Sequence, residues 1–405
     1  MMARISERFW PVSSFVVLMA TTGTAVGMVQ MALPLLALDL GASPAEIGMI
    51  RGASGLGLLL AVLPAGFLVD RFGARWTFHI GNTGVILATA ALLVANRPDA
   101  LMALVLAEGL FRALRLTALN AAFFQSLPRI GHARVGWFWG ALSIGLAFAG
   151  PVAGAALLGW GPYRTVFVAA VAIMMLPSAF FGLIATDPPH LGPEQGLLGT
   201  VGSHLRGFAT LMRHRNVPGS LAMEMLVAAT FTAFATFITV MAVSEFHLEP
   251  ATASLLLAVE GVAYIVTVFT AAPFVQRLPH RSAALLALGL SATALAGLSL
   301  TASVAGLAVC SLTLGAGLGL LNLGSSSCAG RLPGEKGKVA GLFAAAISVG
   351  VGGVPVLAGL VAERFGAHAV FIAFVPLFVL VAAALSWSPR PDRAMGGAVG
   401  QESPP

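Results

Sequence analysis

The chain has 405 residues, of which 58% are hydrophobic and 9% charged, whereas an average soluble domain carries roughly 25% charged residues. Its 22 basic and 16 acidic side chains cannot clothe a soluble protein of this size, so water is not its main solvent. The net charge of +6 does not indicate a nucleic-acid partner, because the Lys and Arg residues are dispersed among connections instead of forming a stripe.

At the N-terminus, Arg4 and Arg8 precede an apolar run from Pro11 to Leu38. That run is too long for a signal-peptide core and lacks a convincing cleavage site, so it reads as a retained first span. A span needs about 20 predominantly apolar residues. Twelve runs qualify: 11–38, 45–69, 76–95, 100–124, 135–159, 163–185, 218–243, 251–275, 281–302, 304–330, 338–361 and 367–388. The expected fold is an all-α membrane protein of twelve transmembrane helices in two pseudo-symmetric six-helix bundles. The polar stretch 186–217, from Asp187-Pro188-Pro189 to Arg213-His214-Arg215-Asn216, divides the spans six and six. It separates an N-terminal bundle, 1–185, from a C-terminal bundle, 218–390, followed by a disordered tail, 391–405.

Cytoplasmic connections are enriched in positive charge, and the basic residues sort unevenly between the two sides of this map. Sixteen fall on one side: Arg4, Arg8, Arg71, Arg75, Arg129, Arg134, Arg206, Arg213, Arg215, Arg277, Arg281, Arg331, Lys336, Lys338, Arg390 and Arg393. Only Arg97, Arg164 and Arg364 lie opposite, while Arg51, Arg112 and Arg115 fall inside spans. Both termini and the linker are therefore expected in the cytoplasm, in a multi-pass protein of the cell membrane. Trp10, Trp76, Trp137, Trp139, Trp160 and Trp387 all sit near span ends, where indoles favour the membrane interface.

The halves also repeat. Pro44 and Pro250 are 206 residues apart, as are Arg71 and Arg277; Leu127-Pro128 and Leu332-Pro333 are 205 apart; Pro151 and Pro355, and Phe167 and Phe371, are 204 apart. An ordered series with a nearly constant offset points to duplicated six-helix units, as in transporters built of two parallel halves.

After span 2 the chain reads Gly66-Phe67-Leu68-Val69-Asp70-Arg71-Phe72-Gly73-Ala74-Arg75, which resembles the loop 2–3 signature of the major facilitator superfamily. The resemblance implies a conformational gate at Gly66, Asp70, Arg71, Gly73 and Arg75: the glycines for close helix approach and a tight turn, the charges for contacts that break as the halves rock. Gly150-Pro151-Val152-Ala153-Gly154 in span 5 looks like the family's fifth-helix motif, found mainly among exporters, with Gly150, Pro151 and Gly154 as its core. Leu146 stands where the family has a further glycine. The resemblance implies a drug or metabolite proton antiporter, with protons and a small molecule as its partners.

A charge in the bilayer core costs at least ~2.5–3.5 kcal/mol, so it tends to face a cavity and to serve a function. In span 4, Glu108, Arg112 and Arg115 share one helical face, and Glu108 and Arg112 are spaced to pair. Glu260 in span 8 lies roughly 15 Å below Pro250, near the midplane, with Tyr264 one turn on as a phenol that could support it. Glu260, Glu108 and Arg112 are the candidate proton-coupling groups; Arg112, Arg115, Tyr264, Gln30 and Asn322 are candidates to line a substrate cavity. Glu224 in span 7 and Arg51 in span 2 read as residues that reach for the membrane surface. Asn82 and Asn120 read as amides joining neighbouring helices.

No phosphate-binding loop and no metal-ligand cluster occurs, so no cofactor or metal is expected, and neither is an enzyme. The leading expectation is proton-coupled efflux of a drug or hydrophobic small metabolite by alternating access. The alternatives are a permease for a small anionic metabolite, with Arg112 and Arg115 as binding cations, and a non-transporting membrane sensor. A monomer in the lipid bilayer is expected.

Overall fold

The computed structural model describes residues 2–130, 135–184, 210–212, 217–331 and 336–387. Most of the expected linker, the tail and Arg134, Arg206, Arg213, Arg215, Arg390 and Arg393 lie outside the described residues. The described segments are helical and contain no strand, because a chain in lipid must satisfy every backbone polar group internally.

Helix α1 covers Met2–Asp39, and α2, Pro44–Ala91, begins with a complete capping box. There Ser43 Oγ accepts from the Glu46 N–H at 3.3 Å and Glu46 Oε2 accepts from the Ser43 N–H at 2.8 Å, while Pro44 fills the first turn where no donor is needed. Gly73, with φ of 85° and ψ of 159°, breaks α2 into two arms at a kink, a conformation only glycine adopts readily. Helix α3 spans Pro98–Ile130. The fifth expected span is α4, Val135–Ile144, a π-helical turn at Gly145–Ala149, and α5, Gly150–Leu158. A proline inside a helix removes a hydrogen bond and crowds the preceding turn, and Pro151 follows this π turn after the single residue Gly150. Helix α6, Tyr163–Ile184, completes the first half.

The second half comprises α7, Val217–Ser244, α8, Pro250–Thr270, the short α9, Ala272–Arg277, and α10, His280–Leu300. It continues with α11, Val304–Arg331, α12, Lys336–Phe365, and α13, Ala367–Trp387. Ten described helical segments are long and apolar enough to cross a membrane. The other two expected spans, 76–95 and 100–124, are helical through most of their length. The second of them, in α3, is set apart by Glu108, Arg112 and Arg115.

The repeat offset reappears as packing. Gly109 of α3 leaves no room for a Cβ against the Ser54 backbone of α2, and Gly315 of α11 leaves none against the Glu260 backbone of α8. Both members of the second pair lie 206 residues after those of the first. Gly55 packs on Gly352 as Gly261 packs on Ala147 of the π turn that leads into α5, so the α2–α12 crossing and the α5–α8 crossing are counterparts, and both join the two halves. Small residues at such crossings allow backbones to approach where lipid supplies no hydrophobic drive.

The apolar core is joined at one end and divided at the other. One large cluster unites both halves, from Ala25–Ala37 of α1 to Phe234–Ala242 of α7 and Phe371 of α13. It runs from the middle of the bundle to the loops at 40–43, 245–249 and 366, here called the far end, and within the second half alone it also reaches Met223 and Ala284 near the opposite end. Toward the end that carries the termini, no core cluster among the described residues joins the halves. Phe15, Phe78, Phe123 and Phe181 belong to a cluster of the first half alone, and Val217, Leu221 and Leu342 to one of the second half alone.

Candidate functional site

The contacts between halves define where a solute could pass. At the far end, Glu363 Oε2 accepts from the Ala45 N–H at 2.9 Å, and Gly48 and Gly359 meet backbone to backbone. Deeper, Ser254 Oγ lies 2.9 Å from Met31 Sδ, and Gly261 meets the Ala147 carbonyl, an oxygen that Pro151, lacking an N–H, cannot engage. Nearer the terminal end, the Phe269 ring reaches Gly140.

The α2–α3 crossing builds the first polar cluster. With no bulk at Gly109, the two helices come close enough for Arg112 Nη2 to donate to Ser54 Oγ. Arg112 Nε also lies 3.7 Å from Glu108 Oε1, one turn earlier on the same helix. Arg51, Glu108 and Arg112 are 4%, 6% and 7% exposed, so this is a buried charge group and not a solvated face. Arg51 Nε donates to Thr236 Oγ1 at 3.1 Å, which ties α2 to α7 across the halves. The expectation that Arg51 reaches for the membrane surface is therefore corrected: a hydroxyl on the facing bundle holds it inside.

Arg115 is fully buried and turns into the first bundle. Its Nη1 donates to Asn82 Oδ1 at 3.3 Å, and Asn82 Nδ2 donates to the Met174 carbonyl and to Ser178 Oγ at 2.9 and 2.7 Å. Asn82 thus joins α2 to α6. Among the described residues Arg115 Nε and Nη2 have no hydrogen-bond partner, and the same holds for Asn120 Oδ1. Arg115 and Arg112, neighbours on one face of α3, are committed to different surroundings.

The second polar cluster lies on α7, α8 and α11. Glu260 is 2% exposed, and its Oε1 has no hydrogen-bond partner among the described residues. Tyr264, half-buried, packs toward Phe231 of α7 with ring centroids 6.5 Å apart. No hydrogen bond joins Tyr264 to Glu260. Glu224 accepts from Ser325 Oγ of α11, so it too is held by a helix neighbour and does not extend to the surface. Gln30 of α1 and Asn322 of α11 are half-buried, and the Asn322 carbonyl accepts from Ser325 at 3.1 Å.

At the gate motif, Asp70, Arg71 and Arg75 are exposed. Arg71 lies over the rings of Phe67 and Phe72, 6.0 and 5.7 Å from their centroids, and Asp70 has no ion pair among the described residues. Gly73 makes the expected turn, whereas Gly66 meets nothing within 4 Å, so no close helix approach occurs there in this conformation. The fifth-helix motif is a packing surface for α1: Gly150 meets Thr24, Gly27 and Met28, and Gly154 meets Met31. Among the described residues no group of acidic, His and Cys side chains could hold a metal.

The model of one family, the Major Facilitator Superfamily, matches residues 15–244 and 220–404. The tetracenomycin C resistance and export protein of Streptomyces glaucescens is 29% identical over 185 residues, 44% of this chain and 34% of that protein. The match thus spans about a third of that relative's length. Among solved structures, a mutant of the nucleoside transporter NupG superposes with a TM-score of 0.77 at 15% identity, covering 93% of this chain and 99% of that one. A POT family transporter in complex with 5-aminolevulinic acid gives 0.75 at 11%, covering 93% and 95%. At these identities the solved structures speak for the fold.

Proposed function

The chain belongs to the Major Facilitator Superfamily and is a transporter, not an enzyme; from that premise we propose that it exports a drug-like or hydrophobic small metabolite in exchange for protons. The observation that carries this reading is the one-ended union of the halves. Among the described residues a single core binds them at the far end and middle, and no shared core joins them behind the exposed gate motif. With the basic connections placed in the cytoplasm, this conformation faces inward, and rocking the halves about the α2–α12 and α5–α8 crossings exchanges access. Glu260, buried with an unpartnered carboxylate oxygen, is the proton carrier in this reading, and the Glu108–Arg112 pair is the second coupling group. The export relative supports the direction of transport.

The anion-permease reading draws less support from the site. Arg112 is occupied by Ser54 and Glu108, and Arg115 faces Asn82 inside one bundle.

The test is flux into inverted membrane vesicles with and without an imposed proton gradient, in the wild type and in Glu260→Gln. Gradient-driven uptake that the substitution uncouples is the expected result. Uptake indifferent to the gradient in the wild type would overturn proton coupling, and an unchanged pH dependence in Glu260→Gln would remove that residue from it.

A further inference from the structure

The start of α2 is a helix end whose donors can be accounted for completely. The first four N–H groups of a helix have no partner within it. Here the Ser43 N–H donates to Glu46 Oε2 and the Glu46 N–H to Ser43 Oγ, while Pro44 has no N–H. The helix's own ladder begins with the Ile47 N–H on the Ser43 carbonyl at 2.9 Å. The capping box and the proline thus leave one donor of the first turn, the Ala45 N–H, without a partner in its own half. Glu363 of α12, in the other half, takes it at 2.9 Å.

The register of the crossing puts Glu363 there. Gly359, one turn earlier on α12, leaves no room for a Cβ against the Pro44 carbonyl and Gly48, so the next turn of α12 reaches the tip of α2. A carboxylate at that tip also meets the positive end of the helix dipole. Glu245, the acid at the end of α7, is engaged within its own half: it accepts from the Ala367 N–H at 3.0 Å and lies 3.5 Å from His368 Nδ1.

The counterpart crossing lacks such a contact. At the offset of 206 that relates Pro44 to Pro250, Ser43 and Ala45 correspond to Glu249 and Ala251, and Glu249 heads α8 without a side-chain cap bond. At the offset of 204 that relates Pro151 to Pro355 and Phe167 to Phe371, Glu363 corresponds to Gly159, which has no side chain to offer the tip of α8. One of two pseudo-symmetric crossings is fastened in this way.

From this we infer that Glu363 is a positioning residue of the transport cycle, a clasp that holds the far end shut by capping α2 across the halves. When the halves rock, the Ala45 N–H and the Glu363 carboxylate both pass to water, so their attraction counts wholly as a bias toward the closed arrangement. Because Glu363 is exposed, that bias is modest, about two- to fivefold in the closed-to-open ratio. The capping box stays with α2 throughout, so the helix itself does not depend on the clasp. The inference rests on the alternating-access reading above and adds a residue that sets its equilibrium.

The experiment is the rate at which a maleimide modifies the thiol of Thr239→Cys, a position buried near the far end. It uses the purified full chain in nanodiscs, with Cys310 and Cys328 replaced by alanine and with neither gradient nor solute. Relative to that parent, Glu363→Gln, which keeps an acceptor oxygen, is expected to react within about twofold, and Glu363→Ala about two- to fivefold faster. Glu363→Lys, which sets a cation against the positive helix tip, is expected to react faster again, and all three keep thermal midpoints within a few degrees of the parent. Should Glu363→Ala fail to fold, the contrast between Glu363→Gln and Glu363→Lys carries the same expectation. Equal rates in the parent and the folded variants, or a Glu363→Lys rate no higher than that of Glu363→Gln, would overturn the inference and leave alternating access standing. A thiol that stays unreactive in every protein would instead contradict opening of the far end, and with it the transport reading on which the clasp rests.

Discussion

Arg112 shows what one buried charge demands of its neighbours. Removing one partner of a buried pair leaves the other charge uncompensated, at a cost of about 3–5 kcal/mol, whereas replacing both with apolar residues is often neutral. Arg112→Ala, which strands Glu108, is expected to lower the thermal midpoint of the purified protein sharply. The double substitution Glu108→Leu and Arg112→Leu copies what Leu314 and Leu318 do in the other half and is expected to recover most of that loss without recovering gradient-driven flux. Recovery of both would make the pair a packing device only. Arg51 offers a second test at this scale, since a hydrogen bond to a charged group contributes about 1.5–3 kcal/mol. Arg51→Gln is expected to weaken the joined far end and raise the reactivity of an engineered thiol at Ala32 or Thr239, both buried there; unchanged protection would contradict the assigned role. The depth of Glu108, Arg112 and Glu260 could be counted along their own helices from the sequence. The partner of Arg51 could not, because Thr236 lies on another helix 185 residues away, and hydropathy records how far a residue is from the helix end but not which neighbour meets it.

In the proposed transport cycle, the crossings of α2 with α12 and of α5 with α8 bear the relative motion of the halves. Gly48 lies against the Pro355 carbonyl and Gly359, and Gly261 against Ala147. Overpacking such a contact costs about 1–3 kcal/mol, enough to move a two-state equilibrium roughly five- to a hundredfold. Gly48→Leu and Gly261→Leu are therefore expected to favour the arrangement with the far end open and to lower transport at least tenfold while the protein still folds. Normal transport in either variant would mean that the crossing does not close tightly during the cycle. The sequence carried much of this scale: the small-residue runs marked close packing, and many helix boundaries fall within a few residues of the apolar runs, whereas α1 begins nine residues before its run and α2 carries two runs through the kink at Gly73. It gave no sign of the π turn at Gly145–Ala149, because a bulge of one extra residue leaves hydropathy unchanged. The idle position of Gly66 was hidden for a different reason, since a motif that acts in one conformation looks the same in the sequence whichever conformation is adopted.

For the molecule as a whole, the duplication explains both the symmetry of the frame and the asymmetry of its contents. Packing positions repeat at a nearly constant offset, so the twofold arrangement could be read from proline and arginine spacings before any coordinates. The polar contents diverged, with arginines and a glutamate in one half and glutamates in the other at positions the partner half fills mostly with leucine. A frame joined at one end and parted at the other has a counterpart in which the ends exchange roles, and a transporter must visit both. The direct measurement is pulsed electron–electron distance spectroscopy on two label pairs, with Cys310 and Cys328 replaced by alanine. One pair is Asp70 with Arg277 at the terminal end, and the other is Gly41 with His247 at the far end, all four exposed. On adding substrate or changing pH, the terminal distance is expected to shorten as the far distance lengthens. Distances that move together, or that stay fixed while solute is transported, would contradict alternating access by rocking halves.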